Sequence, residues 1–230
     1  MIEACRSALI LFAKDPVEGR VKTRLGSLLD PKTTLNLYLH FLDDSIAKIH
    51  AVTDVERFIG VASEPQTGYF EKLSYHPPAR LFVQEGEDLG QRMRQAFEDR
   101  FREGYERVVI IGADSPTLPT GYIEQALHSE KQMVIGPSTD GGYYLIGMRG
   151  KVTELFTDID WGTGSVLADT LKILQKQGVP AELLPVWYDV DLPEDLRFLK
   201  THLEWMAHAG LKTGQATLDY LNQLSLEPVK

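Results

Sequence analysis

The 230-residue chain is short of several things, and each shortage removes a class of explanation. Its one cysteine, Cys5, cannot close an intramolecular disulfide, and its cysteine and histidine residues show no zinc-ligand spacing. Neither an exported disulfide framework nor a structural zinc site is expected. No apolar run approaches the roughly 18 residues needed to span a bilayer. The apolar start, MIEACRSALILFA, is too broken for a signal peptide, since Glu3 and Arg6 interrupt it and Lys14 and Asp15 end it. Basic charge is also scarce, with 24 Lys and Arg against 33 Asp and Glu and a net charge of −9. That balance disfavours a protein that coats a nucleic-acid polymer through a broad basic face, yet leaves room for a single nucleotide as ligand. The histidines His40, His50, His76, His128, His202 and His208 are scattered. A soluble, cytoplasmic protein is expected, without a membrane span.

Two familiar phosphate signatures are missing as well. Gly19 is followed by Arg20, Val21, Lys22 and Thr23, without the second glycine that a Walker loop places before its lysine. No GxGxxG follows the first strand-like run, so a dinucleotide fingerprint is absent. What stands there instead is FAKDPVEGRVKTRL, Phe12 to Leu25, which gathers Lys14, Arg20, Lys22 and Arg24 around a glycine with only Asp15 and Glu18 against them. A local reversal of sign in an acidic chain points to an anion-binding loop. The alternative is a solvated charged face. Ala8 to Ala13 (ALILFA) reads as a buried parallel strand, so the loop would leave its carboxyl end, where open α/β sheets place their ligand crevice.

The rest of the chain alternates strand-like and helix-like segments. Asp30 and Pro31 begin a helix along which Leu35, Tyr38, Leu42, Ile46 and Ile49 recur at helical spacing. Phe58 to Ala62 and Leu81 to Val83 read as short strands, Leu89 to Phe101 as a helix, and Val108 to Gly112 as a strand. Further helices are expected around Ile123 to Leu127, Val166 to Leu174 and Leu196 to Leu203. Strands separated by helices imply parallel pairing and a doubly wound α/β sandwich. With 43% hydrophobic and 25% charged residues, the chain reads as one domain over residues 1–230, with 204–230 a helical appendage.

Three further segments carry chemistry. GADSPTLP, Gly112 to Pro119, puts Asp114 at a strand end near the basic loop, where a carboxylate could anchor Mg²⁺ or Mn²⁺ together with substrate phosphates. Its alternative role is a turn cap. LLPVWYDV reads as a strand that turns Asp189 and Asp191 to one face, and Asp191 is a second metal-ligand candidate, whereas Glu194 and Asp195 suit the start of a helix. DGGYYLIG, Asp140 to Gly147, is either a hairpin turn or a place where glycines admit an acceptor and Asp140 acts as general base. In WGTGS, Thr163 caps a helix or the helix start meets phosphate, with Trp161 either packing or stacking on a sugar.

Taken together, FAKDPVEGRVKTRL, GADSPTLP, DGGYYLIG, WGTGS and DVDLPEDL closely resemble a bacterial family of nucleotide-diphospho-sugar transferase-like proteins, some called arsenosugar biosynthesis glycosyltransferases. The resemblance spans Leu9 to Leu199. It implies the glycosyltransferase A fold, a three-layer α/β/α sandwich with a mostly parallel, Rossmann-like sheet, shared with sugar, molybdopterin and phospholactate nucleotidyltransferases. It also implies nucleotide contacts at Ala13 and Lys14, phosphate contacts at Arg20, Lys22 and Arg24, and base or ribose contacts around Gln84, Gly86, Asp88, Gly90 and Arg92. Asp114 and Asp191 match divalent-metal positions of the fold. One departure stands out: many glycosyltransferases carry Asp-x-Asp where this chain has Asp114, Ser115 and Pro116, which shifts weight to Asp191.

Two reactions fit. Glycosyl transfer from a nucleotide sugar to a small-molecule acceptor ranks first, with Asp140 as base. Nucleotidyl transfer from a nucleoside triphosphate to a phosphorylated acceptor ranks second, with Lys14, Lys22 and Arg24 balancing the triphosphate. Lys22 has a catalytic part in either. A nucleotide-binding module without catalysis is the third reading.

Overall fold

The computed structural model describes residues 6–73, 78–211, 213–224 and 226; Cys5 and His76 lie outside them. The first strand, β1 (Ser7–Ala13), is buried along nearly its whole length because both faces of the sheet are covered. Alternate residues go opposite ways. Leu9, Leu11 and Ala13 share one core with Leu37, Ile123, Leu196 and Leu218. Ala8, Ile10 and Phe12 meet Met93, Phe97 and Leu174 on the other side, as the two-residue side-chain period of a strand requires. The first core is supplied by α1 (Pro31–Ala51), α3 (Thr120–His128), α5 (Pro193–His208) and α6 (Gln215–Leu221), and the second by α2 (Leu89–Arg102) and α4 (Val166–Gln177). The expected three-layer α/β/α sandwich is therefore the observed one.

Local chemistry explains where the helices begin. Asp30 accepts from the amides of Lys32 and Thr33, both at 3.0 Å, and Pro31 occupies the first turn of α1. Asp195 accepts from the Asp191 and Leu192 amides at 3.0 and 2.7 Å, which caps α5 and sets the path of the chain through Asp191.

The sheet has seven strands in the order β3 (Arg80–Val83), β2 (Glu56–Val61), β1, β4 (Arg107–Gly112), β6 (Tyr143–Arg149), β5 (Met133–Pro137) and β7 (Ala181–Leu183). From β1 the chain steps outward to β2 and β3, then returns to lay β4 against the opposite edge of β1. The strand order thus reverses between β1 and β4, the position at which open α/β sheets leave a crevice. Phe12 stands opposite Gly112 in the register. The basic loop and the Asp114 loop consequently leave the sheet side by side.

The mostly parallel sheet that the resemblance implied is observed, while one strand was missed and the readings of LLPVWYDV and Thr163 need correction. Pairing is parallel except at β6, which runs antiparallel to both β4 and β5; residues 138–142 are too short a connection for a crossover, so β5 and β6 form a hairpin. Strand β5 itself was not anticipated. The LLPVWYDV run is not a strand: β7 ends at Leu183, and only a bridge between Ser138 and Trp187 continues the pairing. Pro185 has no amide proton to give a ladder. Thr163 does not cap α4, whose cap position is Ser165 without a side-chain bond; the Thr163 hydroxyl donates to the Asp160 carbonyl at 2.8 Å.

Lys48, buried on α1, braces the loop behind Asp114 by donating to the carbonyls of Ser115 (3.0 Å) and Pro116 (3.3 Å). Burial pulls its pKa down to about 7, with Asp44 only partly offsetting the effect. An unfolded chain keeps lysine protonated to its ordinary value of 10.5. Between these values the unfolded state binds more protons, so this group makes stability rise with pH from about 7 upward. Lys48→Met should flatten that rise, read as denaturant midpoints from about pH 7 to 9.5. A wild-type-minus-variant difference that stays constant over this range would contradict the assignment.

Candidate active site at the strand-order reversal

A cleft of about 680 Å³ opens at the carboxyl ends of β1 and β4, a size that suits a nucleotide-scale ligand. Its ionic lining comprises Lys14, Lys22, Arg24 and Arg92 together with Asp114, Asp140, Asp189 and Asp191. A smaller hollow on the other flank of the basic loop carries Asp30 as its sole carboxylate, already engaged in capping α1.

The loop after β1 is held from both ends. Tyr38 accepts from the Lys14 amide at 2.9 Å and its hydroxyl lies 3.1 Å from the Lys14 carbonyl, leaving the Lys14 side chain exposed. Buried Asp15 accepts from the Gln66 amide (2.8 Å) and the Thr67 hydroxyl (2.6 Å). Farther on, Lys22 adopts a left-handed backbone with φ of 46°, uncommon for a residue with a side chain. That turn sends its side chain inward.

The Lys22 ammonium is the centre of the site. It lies 2.5 Å from Asp114 Oδ1 and 2.9 Å from Asp191 Oδ1, and it donates to the Val190 carbonyl at 2.7 Å. Three acceptors match the three protons of an ammonium. The Lys22 side chain is 3% exposed, whereas Asp114 and Asp191 remain 47% and 40% exposed. Burial penalises the charged lysine, but Asp114 and Asp191 outweigh it and hold the pKa above its ordinary value. Burial likewise pushes Asp191 up, and Lys22 more than compensates, with smaller contributions from Arg24 and Lys14, so its carboxyl titrates below the usual range.

Asp189 is the residue whose weight the sequence did not reveal. It accepts from the Ser115 hydroxyl and, at 2.9 Å, from the Ser138 hydroxyl. Those serines sit beside Asp114 and on the turn that carries Asp140, so Asp189 ties the two loops together. Burial, then the nearby Asp114 and Asp140 charges, push its pKa up to about 6 against the two serine bonds.

Asp140 is exposed at the hairpin turn, with Oδ1 accepting from the Gly142 amide at 2.9 Å. Gly141 has φ of 89°, and a Cβ there would lie 2.1 Å from the Gly164 carbonyl oxygen. The close approach that requires this glycine is therefore between two loops of the protein itself, reinforced by a 2.8 Å bond from the Leu167 amide to the Gly141 carbonyl.

The remaining expected contacts divide in two. Ala13, Lys14, Arg24, Gln84 and Arg92 line the cleft. Gln84 is oriented by donating to the Gly60 carbonyl at 2.7 Å, and Arg92 by donating to the Gly86 carbonyl at 3.0 Å. Arg20, Gly86, Asp88 and Gly90 stand outside the lining. Arg20 closes an exposed turn, and Asp88 caps α2 by accepting from the Gln91 amide at 2.8 Å. At Gly90 a Cβ would come within 2.5 Å of the Trp161 ring, so this glycine makes room for the indole that forms part of the wall.

Among the described residues, no group of three or more His, Cys, Asp or Glu side chains could hold a metal ion. The convergence of Asp114 and Asp191 on one ammonium nevertheless shows that the two carboxylates can share a cation. Two carboxylates suit a hard divalent ion that completes its shell with phosphate oxygens and water.

A mostly parallel sheet with a crevice at its order reversal is the architecture shared with nucleotide-diphospho-sugar transferase structures, and comparison with solved structures places the chain among transferases. The protein family described as "Uncharacterized protein conserved in bacteria (DUF2064)" matches residues 45–163, and the chain belongs to it. Among solved structures, a protein from Desulfovibrio desulfuricans G20 named as a nucleotide-diphospho-sugar transferase is 31% identical, with 94% of each chain covered and a TM-score of 0.84. Two more distant structures share the fold alone. One is 4-diphosphocytidyl-2C-methyl-D-erythritol synthase from Anaerococcus prevotii DSM 20548, 10% identical, with 86% of this chain and 96% of that chain covered and a TM-score of 0.58. The other is CMP:2-keto-3-deoxy-manno-octonic acid synthetase complexed with CTP, 11% identical, with 87% and 99% covered and a TM-score of 0.54. No curated protein matches the chain. No helix among the described residues is long and apolar enough to cross a membrane.

The raised pKa of Asp189 has a measurable consequence. Between its ordinary value of 3.8 and about 6 the folded state binds more protons than the unfolded one, so this group lowers stability as pH rises through that window. Asp189→Asn removes the ionisation and keeps one acceptor oxygen. Urea midpoints from about pH 4 to 7 in a chelating buffer should show the variant gaining on the wild type as pH rises, and a pH-independent difference would contradict this.

Proposed function

We propose that the protein transfers a glycosyl group from a nucleotide-activated sugar to the hydroxyl of a small-molecule acceptor. The observation that carries this reading is the convergence in one cleft of three elements: the exposed cations Lys14 and Arg24, the Asp114–Asp191 pair, and the exposed carboxylate Asp140. Glycosyl transfer with inversion uses all three: cations for the phosphates, a metal-binding pair and a carboxylate base. Lys14 and Arg24 take part in no ion pair among the described residues, so both are free to meet phosphates. Asp114 and Asp191 would hold Mg²⁺ or Mn²⁺, which when bound neutralises charge developing on the departing nucleoside diphosphate. Asp140 accepts the proton of the attacking hydroxyl, and its carboxylate is aimed by the bond from the Gly142 amide. Ala13, Gln84 and Arg92 line the part of the cleft assigned to the nucleoside. The chain acts as one catalytic domain, with α6 bracing α1 through the bonds from Ala216 and Thr217 to Asp44.

The same Gly142 bond favours a second reading. It gives Asp140 a turn-forming role that stands without any catalytic one, and nucleotidyl transfer, which needs phosphate alignment but no carboxylate base, would then proceed with the remaining groups.

Incubation with Mn²⁺ and panels of nucleotide sugars and nucleoside triphosphates, with nucleoside diphosphate and pyrophosphate as readouts, separates the two reactions. Release of neither product from any pair defeats both. For glycosyl transfer, Asp140→Asn should lower kcat about 10²- to 10⁴-fold with donor affinity retained. Under nucleotidyl transfer the same variant stays close to wild type. Lys14→Ala and Arg24→Ala should each weaken donor binding, with a gap that narrows as salt is raised. An effect limited to melting temperature would return these residues to the solvated surface.

A further inference from the structure

Of the four cations in the basic loop, Lys22 is set apart by its surroundings. Arg20 closes a turn, and Lys14 and Arg24 extend into solvent or the cleft without ion-pair partners among the described residues. Lys22 is buried, and all three of its ammonium protons meet acceptors: the Val190 carbonyl and one oxygen each of Asp114 and Asp191. The ring of Phe41 lies 5.6 Å from the same nitrogen, adding a π face to its surroundings. In this arrangement all three protons of Lys22 are engaged within the protein. Its ammonium takes the position between the two carboxylates.

We propose that the Lys22 ammonium is the resident cation of the Asp114–Asp191 pair, and that it competes with a divalent ion for that pair. The inference rests on reading the pair as the cation site. Two carboxylates and one ammonium carry a net single negative charge, and adding a divalent ion beside the ammonium would set like charges against each other in a partly buried space. Occupation by the divalent ion therefore expels the ammonium. The displaced Lys22 gains three free donors next to Lys14 and Arg24, where the phosphates of a nucleotide are expected. In the metal-free protein the same ammonium keeps the carboxylates from repelling each other, so the pair is preformed. The left-handed backbone at Lys22 is what aims the side chain inward, and a methionine there meets the same backbone geometry.

The test uses Mn²⁺ alone, without nucleotide or turnover, with free Mn²⁺ measured by electron paramagnetic resonance. Lys22→Met, shown to be folded by circular dichroism, should bind Mn²⁺ at least tenfold more tightly than the wild type; equal or weaker binding overturns the proposal. Should that variant fail to fold, the wild type answers the question through acetylation of Lys22 by acetic anhydride, read by mass spectrometry with Lys14 as the internal reference. Labelling of Lys22 should rise several-fold on saturation with Mn²⁺, and unchanged labelling overturns the competition. Asp114→Asn and Asp191→Asn serve a separate purpose. If neither weakens Mn²⁺ binding, the reading of the pair as a cation site fails first, and the competition fails with it.

Discussion

One buried ammonium joins three distant parts of the chain. Lys22 comes from the loop after the first strand, Asp114 from the end of β4, and Val190 with Asp191 from the segment before α5. Removing Lys22 would leave two neighbouring carboxylates without their shared counter-ion, and removing both carboxylates would leave a buried ammonium unpaired, a loss that costs far more than an intact pair contributes. The shared ammonium also explains why a strongly acidic chain can assemble four carboxylates in one crevice. Part of their charge is neutralised from within the protein.

The surroundings reinforce that arrangement with neutral bonds. Asp189 collects the hydroxyls of Ser115 and Ser138, so the loop bearing Asp114 and the hairpin bearing Asp140 are tied to one carboxylate. Tyr38 clamps the backbone of Lys14, and Asp15 anchors the same loop to residues 66 and 67. Gly141 admits the backbone of Gly164, which draws the Trp161 loop over the cleft. The backbone around the exposed Lys14, Arg24 and Asp140 side chains is thus held by hydrogen bonds, and groups positioned in advance need less ordering when a ligand binds.

Much of the scaffold was legible because its signals are local. The apolar run of β1, the Asp30 and Pro31 start of α1, and the acidic opening of α5 each depend on residues within one turn or one strand. The errors arose where tertiary context overrode local pattern. Strand β5, carrying Gly136 and Pro137, lacks a distinctive signature and exists because β6 and β7 flank it. LLPVWYDV has strand composition, yet Pro185 denies it a ladder and Trp187 retains a single bridge. Gly86, Asp88 and Gly90 belong to a recognisable motif, but two of them serve the start of α2 and the packing of Trp161.

By itself the sequence determined the α/β class, the placement of a basic loop and of Asp114 at strand ends, and the identity of the groups available for phosphate and cation chemistry. These follow from periodicity, capping and charge, which neighbouring residues decide. Only the tertiary structure decided which of those charges meet. That Lys22 turns inward to Asp114 and Asp191 while Lys14 and Arg24 stay free depends on strand order and on one left-handed residue. Coulomb energy varies with distance and burial, and neither quantity is carried by a string of residues.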